Sequence, residues 1–470
     1  MGILNISILA FAVSAAAMDP NDTPAALEVR TFFRSTNEAE FHQNLGKFFP
    51  RRTDKNWWWN EIGYPHALGI ASVKFGDWLT EEEKSGIIDY MERAPLKHKR
   101  TGQNKAWISA VHYYRGRLIG DKRMEEAAIR DVLSTIVVGK GEGPRPDGSF
   151  WQHGAQPQWG NYELHFVETA AEFAAYLKDE QRKVLEKLFE AYGWTIYNGF
   201  LDVGSLGRQF APEIQRSKGG RIQAAAKELG MMLGEAKGFK YFPDAAQAVY
   251  AGEGWRTTIK MSTAKIIGTE SYNGDNAQGA LMADGACYFY CRGDEYENVF
   301  PLWNWRYIPG VTAIDREGAE KLGTGSKVFN QVDNIQVQGN KLVFELKRGD
   351  LQCFKSWEFL ESGVKCKGWG ITSKDNAHRV VTSVEQCPLR GEVVEKREGE
   401  VTTVIHDGKI YRITGGKVKV NRVHRKGNWN TVMKRRPSEA VEGDILEILI
   451  DHGIAPVNAE YTYEITISAF

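Results

Sequence analysis

The sequence predicts a two-domain α+β protein, helical over residues 1–240 and antiparallel β over 241–470. Two observations predict it. Up to about residue 240, apolar residues recur at helical spacing, with Gly, Pro and Asp between the periodic stretches. Beyond that point short runs alternate apolar and polar residues and are broken by Gly, Asn and Asp. A chain of 470 residues can hold more than one core, since domains average roughly 150 residues.

The N-terminal "MGILNISILAFAVSAAAMDP" has two readings. An apolar run and the Ala15–Ala17 step suit a secretory signal, although no Lys or Arg precedes the run. Ile3, Ile6, Leu9 and Val13 equally suit one face of a core helix. The run is shorter than the about 20 residues of a membrane span. Helices are then expected over 81–94, 104–119, 122–138, 161–178, 180–197 and 219–236. Trp107, Val111, Tyr114 and Leu118 form one stripe, and Tyr162, Phe166, Ala170, Phe173 and Leu177 another. The boundary falls near "KGFKYFPDAAQAV", residues 237–249. After it, "GACYFYCRG", "NQVDNIQVQGNKLVFELKRGD", "GEVVEKREGEVTTVIHDGKIYRITGGKVKV" and "GDILEILIDHG" read as antiparallel strands.

Sixty basic and sixty acidic residues cancel, so nothing global points to nucleic acid or an anionic membrane. Fourteen tryptophans and 18 tyrosines suit sugar faces as well as cores. The five cysteines, all in the second half, lack CxxC spacing, and buried or free thiols are expected.

Three stretches of the helical half are rich in chemistry-bearing side chains. In "NWWWNEIGYPHALG", residues 56–69, three successive tryptophans cannot share one helix face. They form either a stacking platform for a flat ligand or a packing cluster under the Gly63–Pro65 turn. In "TGQNKAW", Asn104 lies at a helix start, where an N-cap is the ordinary role. In "DGSFWQHGAQPQWGNYELHF", residues 147–166, His153 lies on a loop and Tyr162 follows nine residues later at a helix start. Trp151 and Trp159 are expected to pack that loop. Arg208 adds a fixed positive charge in "GSLGRQFAPEIQRS".

An Asn, a His, a Tyr and an Arg with nearby tryptophans suit proton abstraction α to a carboxylate. Donors must hold the carboxylate, a base must take the proton, and the leaving oxygen must receive one. A tyrosine could do both proton transfers. Its pKa of about 10 would have to fall by roughly two units, or about 2.7 kcal/mol, with Arg and His as the available sources. The reaction needs no cofactor, and no HxxxH or acidic cluster points to a metal.

These stretches resemble polysaccharide lyase family 8, which contains the hyaluronate, chondroitin AC and xanthan lyases. "NWWWNEIG" resembles its aromatic patch, "TGQN" its Asn-bearing loop and "DGSFWQHGAQPQWGNY" its His-to-Tyr segment. "GTESYNGDNAQG", "ADGACYFY", "FPLWNWRYIPGVTA" and "DHGIAPVNAEYTYEI" resemble stretches of its β region. The resemblance implies an incomplete α/α toroid followed by a large antiparallel β super-sandwich. It also implies a secreted or periplasmic enzyme, a monomer that uses no cofactor. The expected substrate is an acidic polysaccharide of the chondroitin or hyaluronan type.

By the same resemblance, Asn104 and His153 neutralise the uronate carboxylate, and Tyr162 is base and then acid. Arg208 tunes Tyr162 or binds the leaving side; Trp57 and Trp58 stack on sugars; Glu270 and Asn273 act from the β domain. The family's second arginine, four residues after the first, is here Pro212, and Arg216 and Arg221 are the nearest later ones. Either the loop has shifted or the second charge is lost; Arg216 is expected as a further substrate contact, and Arg51, Arg52 and Lys55 could line a basic groove. The chain is also expected to be shortened at its N-terminus and to lack a small C-terminal β domain. Two rival readings are a glycoside hydrolase using Glu61, Asp147 or Glu163, and a polysaccharide-binding protein that has lost catalysis.

Overall fold

A computed structural model describes residues 31, 33–49 and 55–468. The segment read as a signal or core helix, and Arg51 and Arg52, lie outside the described residues. The chain divides into two compact units. The first holds the described residues up to His153, together with 162–190 and 220–233; the second holds 154–161, 191–219 and the residues from Gly234 onward.

Helices dominate the first half of the chain: α1 (Glu38–Phe48), α2 (Tyr64–Lys74), α3 (Glu81–Met91), α4 (Gly102–Ile119), α5 (Lys122–Leu133), α6 (Leu164–Glu172), α7 (Asp179–Thr195) and α8 (Ile214–Glu228). Their starts carry the expected chemistry. Asn37 accepts the Glu40 N–H ahead of α1, Thr80 and Glu83 form a reciprocal capping box on α3, and Asp121 accepts the Arg123 and Met124 N–H groups of α5. Trp107, Val111 and Tyr114 are buried along α4, as their spacing predicts.

The helix predicted over 161–178 differs in form. It begins as a π-turn, Trp159–Glu163, continues as α6, and closes with a 3₁₀ turn at Ala174–Tyr176. Tyr162 therefore sits in the wide turn. A π-turn inserts one residue into the ladder and displaces the side chains on its face, and such turns are frequent at functional sites.

The second half is antiparallel throughout its large sheets. One sheet joins Gly238–Phe242, Gln247–Gly252, Trp255–Lys260 and Ala286–Tyr290 in sequence order. A second runs Thr312–Ile314, Arg379–Pro388, Ala440–Ile454, Lys417–Asn428. The largest has eight strands, with Gly363–Ser373 and Ala459–Ile467 paired at its centre. Among the described residues no helix is long and apolar enough to cross a membrane.

Within the β region Glu385 is buried and receives three donors: Tyr411 Oη at 2.8 Å, Tyr296 Oη at 3.1 Å and Lys409 Nζ at 3.1 Å. Burial alone would lower the Lys409 pKa, but the Glu385 charge outweighs it and raises the pKa above the usual value. Lys409→Met removes one partner and strands a buried carboxylate. It should cost about 3–5 kcal/mol of stability, read as a lower urea midpoint. A midpoint within error of the parent would show that the pair contributes nothing.

Candidate active site

Both Trp-bearing motifs enter their helices through π-turns, Trp59–Gly63 before α2 and Trp159–Glu163 before α6. In the first, Gly63 leaves room for the indoles: a Cβ there would lie 2.4 Å from the Trp59 ring and 2.7 Å from that of Trp58. Trp58 meets Trp59 and Trp107 edge-on, with ring centroids 5.0 and 5.2 Å apart. Trp57 is 39% exposed, and the Arg100 guanidinium lies 3.6 Å from its ring centroid while ion-paired to Glu61. Trp57 thus reaches the surface, while Trp58 and Trp59 are half-buried against one another.

The start of α4 is built differently from those of α1, α3 and α5. Its cap residue Thr101 makes no side-chain cap hydrogen bond. Instead Gln152 Oε1 accepts the Gln103 N–H at 2.9 Å, while Gln152 Nε2 donates to the Thr101 carbonyl at 3.4 Å and to Glu142. Gly102 adopts φ +55°, and a Cβ there would fall 2.3 Å from Gln152 Oε1. Asn104 is consequently inside the helix and is not its cap, which corrects the ordinary reading of that residue. Asn104 is buried, and among the described residues its Oδ1 has no hydrogen-bond partner. Leaving a buried amide atom unpaired costs about 1–3 kcal/mol, which is a reason to look for a function.

The loop that supplies Gln152 also sets His153. His153 has φ +64° and is followed by Gly154 at φ +95°, so the backbone turns sharply there. A left-handed non-glycine residue is strained, and such strain clusters at functional sites. His153 Nε2 lies 2.9 Å from Tyr162 Oη, with the rings edge-to-face at 4.8 Å. Tyr162 is only 7% exposed. Its ring lies 6.1 Å from that of Trp107, one turn beyond Asn104 on α4. Asn104, Trp107, Tyr162 and His153 therefore belong to one packed group.

His165 is a member of this group that the sequence reading did not name. It lies three residues after Tyr162, packs on Trp107 at 5.3 Å, and has Nδ1 3.1 Å from Glu168 Oε2. Arg221 clasps Glu168 with two 2.8 Å hydrogen bonds and comes within 3.3 Å of His165 Nδ1. Burial would raise the Glu168 pKa, but Arg221 and His165 hold it well below the carboxylate range. Arg221 is thus committed to an ion pair. Helical spacing from Tyr162 was the available signal for His165.

Glu163, next to Tyr162, is wholly buried, and desolvation pushes its carboxyl well above the usual range, with Asp147 adding to the effect. Glu163 therefore has no access to solvent.

The second unit gathers the other expected residues. Arg208 donates from Nη1 to Glu270 Oε1, which also accepts from Gln158 Nε2 at 3.1 Å. Arg208 Nε lies 3.8 Å from Asp275 Oδ2. Asn276 fixes the Glu270 carbonyl through Nδ2 at 3.0 Å. Asn273 is exposed in a tight turn whose central residues, Asn273 and Gly274, have φ of +55° and +81°, the geometry that favours an Asn-Gly pair. Arg216 lies over the Phe200 ring at 4.6 Å, beside Glu297, whose carboxyl burial pushes up to about 7 despite that arginine. Trp159 is buried between Tyr192 and Phe242, which makes it a packing residue, and Trp151 lies under the Arg145 guanidinium at 3.8 Å.

Two family models match the chain: "polysaccharide lyase family 8, N terminal alpha-helical domain" over residues 39–226 and "polysaccharide lyase family 8, super-sandwich domain" over 237–469. The chain is 27% identical to chondroitinase-AC of Pedobacter heparinus over 460 residues, covering 87% of this chain and 65% of that protein. It is 23% identical to a hyaluronate lyase of Thermasporomyces composti, covering 87% and 64%. The chain thus spans just under two thirds of the length of these curated relatives. Its fold is similar to that of the Streptomyces coelicolor A3 chondroitin AC lyase, solved in complex with chondroitin sulphate, at a TM-score of 0.84 and 19% identity over all of this chain and 79% of that one.

Gly102→Ala should test the corner that holds Asn104 and His153. It imposes a left-handed alanine, costing about 1 kcal/mol, and displaces the Gln152 amide. We expect a lower unfolding midpoint and, on any substrate the protein turns over, a larger loss in kcat than in KM. An unchanged protein would show that the corner is not needed.

Proposed function

Because the chain belongs to polysaccharide lyase family 8, we propose that it cleaves a uronate-containing polysaccharide by β-elimination, with Tyr162 as base and then acid. The hydrogen bond of 2.9 Å between Tyr162 Oη and His153 Nε2 carries this reading. In the tautomer that carries its proton on Nε2, the imidazole donates to the phenolate form that a base requires and stabilises it. In this reading the same imidazole and the Asn104 amide bind the uronate carboxylate and spread the charge that develops as the α proton leaves.

The step balances without a cofactor. Tyr162 takes the proton from C5, the C4=C5 double bond forms, the bond from C4 to the bridging oxygen breaks, and Tyr162 returns the proton to that oxygen. Trp57 and Trp58 stack on sugar rings. Arg208, held by Glu270, and the exposed Asn273 and Arg216 are further contacts to the polysaccharide. A chondroitin- or hyaluronan-type polymer is the proposed substrate, supported by the names of the relatives, and an enzyme acting on it would be secreted or periplasmic.

The hydrolase reading loses on burial and engagement. Glu163 is wholly buried, Glu61 is paired with Arg100, and Asp147 accepts from both the backbone N–H and the hydroxyl of Ser149. A general acid must reach the glycosidic oxygen.

Tyr162→Phe should lower kcat on chondroitin or hyaluronan by at least about a thousandfold while KM changes little. The rate is followed by the ultraviolet absorbance of the conjugated enoate product. Retention of more than a tenth of the parent rate would remove Tyr162 from the reaction.

A further inference from the structure

Resting on the lyase reading above, we propose that Arg435 is a substrate-binding residue that takes an oxyanion of the polysaccharide. The oxyanion is either a sulfate ester or the carboxylate of a neighbouring uronate. No feature near residue 435 marked it in the sequence, and more than two hundred residues separate it from Arg208.

Three segments are fastened together around it, all within the second unit. The Lys434 N–H donates to the Gly274 carbonyl at 2.8 Å, and the Ala277 N–H to the Val432 carbonyl at 2.9 Å. The Phe210 N–H approaches Met433 Sδ at 3.1 Å. These contacts join the turn bearing Asn273, the segment after the short helix Trp429–Val432, and the loop bearing Arg208. The backbone of the two turns is close: a Cβ on Gly274 would lie 3.1 Å from that of Lys434.

Asp275 is the hinge of the charge arrangement. Arg435 Nε donates to its Oδ1, and its Oδ2 faces Arg208 Nε at 3.8 Å. One buried carboxylate is thus shared by two guanidinium groups. The Arg208 side chain is 8% exposed and spends its charge on Glu270 and Asp275, whereas the Arg435 side chain is 24% exposed. Among the described residues Asp275 is the sole hydrogen-bond partner of the Arg435 guanidinium. The group is therefore anchored along one edge, and its other donors remain for an oxyanion, two of whose oxygens a guanidinium binds in a two-pronged fashion.

Lys434 is exposed beside it, as is Asn273 on the facing turn. Two arginines and the buried Lys218 face two carboxylates here, and Lys434 adds a further positive charge at the surface. That combination of a fixed donor fork and a small positive surplus suits an anionic substituent on a sugar better than a neutral hydroxyl.

The test compares parent, Arg435→Gln and Arg435→Lys on chondroitin sulfate and on chemically desulfated chondroitin, at several salt concentrations. Arg435→Gln should raise KM about tenfold with kcat within about twofold, and flatten the dependence of KM on salt; Arg435→Lys should restore most of both. A KM effect confined to the sulfated polymer assigns the oxyanion to sulfate, and an equal effect on both assigns it to carboxylate. An unchanged KM on both polymers, or a loss in kcat and thermal stability with the salt dependence intact, overturns the proposal. Should the parent form no unsaturated product from either polymer, the lyase reading fails separately. Calorimetric titration of parent and Arg435→Gln with chondroitin sulfate oligosaccharides then decides Arg435: about tenfold weaker binding in the variant supports it, and equal binding overturns it.

Discussion

The Gln152 side-chain amide accepts the backbone N–H of Gln103 and donates to the Thr101 carbonyl, so a loop residue does the work of a helix cap. That substitution frees the first turn of α4 from the usual Ser, Thr or Asp and ties it to the residue immediately before His153. Asn104 and His153 lie fifty residues apart in sequence, to the nearest ten, yet both take their positions from this corner. Gly102 is needed there because its left-handed backbone and missing side chain leave space for the amide. The energetics are those of a buried polar group: paired, the amide holds the corner; unpaired, it would work against folding.

The two units place charge in different ways. In the first, the phenol–imidazole contact lies in the same unit as a strongly paired Arg221–Glu168 couple and the buried Glu163, whose carboxyl is pushed up by burial. The strongest charges there are kept paired. In the second, Arg208 and Arg435 are held by buried carboxylates whose own positions are fixed by Gln158, Asn276 and the Asn273–Gly274 turn. Groups fixed in advance stabilise a developing charge without reorganising at the moment of reaction, which is where such sites gain most.

Much of this was legible in the sequence, and the rest was not for identifiable reasons. The change of hydrophobic period near residue 240 gave the helix-then-sheet order, because burial on a helix and on a pleated strand selects different spacings. The exact helix ends and the π-turn under Tyr162 were not visible, since they depend on tertiary packing of Trp159 and on backbone that no propensity records. His153 and Tyr162 stood out by residue type and spacing. Their contact depends on two successive left-handed residues, of which only the glycine at 154 is a sequence signal. Asn104 looked like a cap because nothing in the local sequence says that Gln152 takes that role. Arg435 was hidden by distance along the chain: Asp275 and the Gly274 turn bring it to Arg208 only in the folded state.

The central claim is elimination without water, and the mass of the products tests it most directly. Chondroitin or hyaluronan is digested in heavy-oxygen water and the fragments are weighed. Elimination predicts fragments whose masses sum to that of the substrate, each new non-reducing end unsaturated, with no heavy oxygen incorporated during cleavage. Fragments heavier by one water, carrying one heavy oxygen per bond cut, would contradict it and identify a hydrolase.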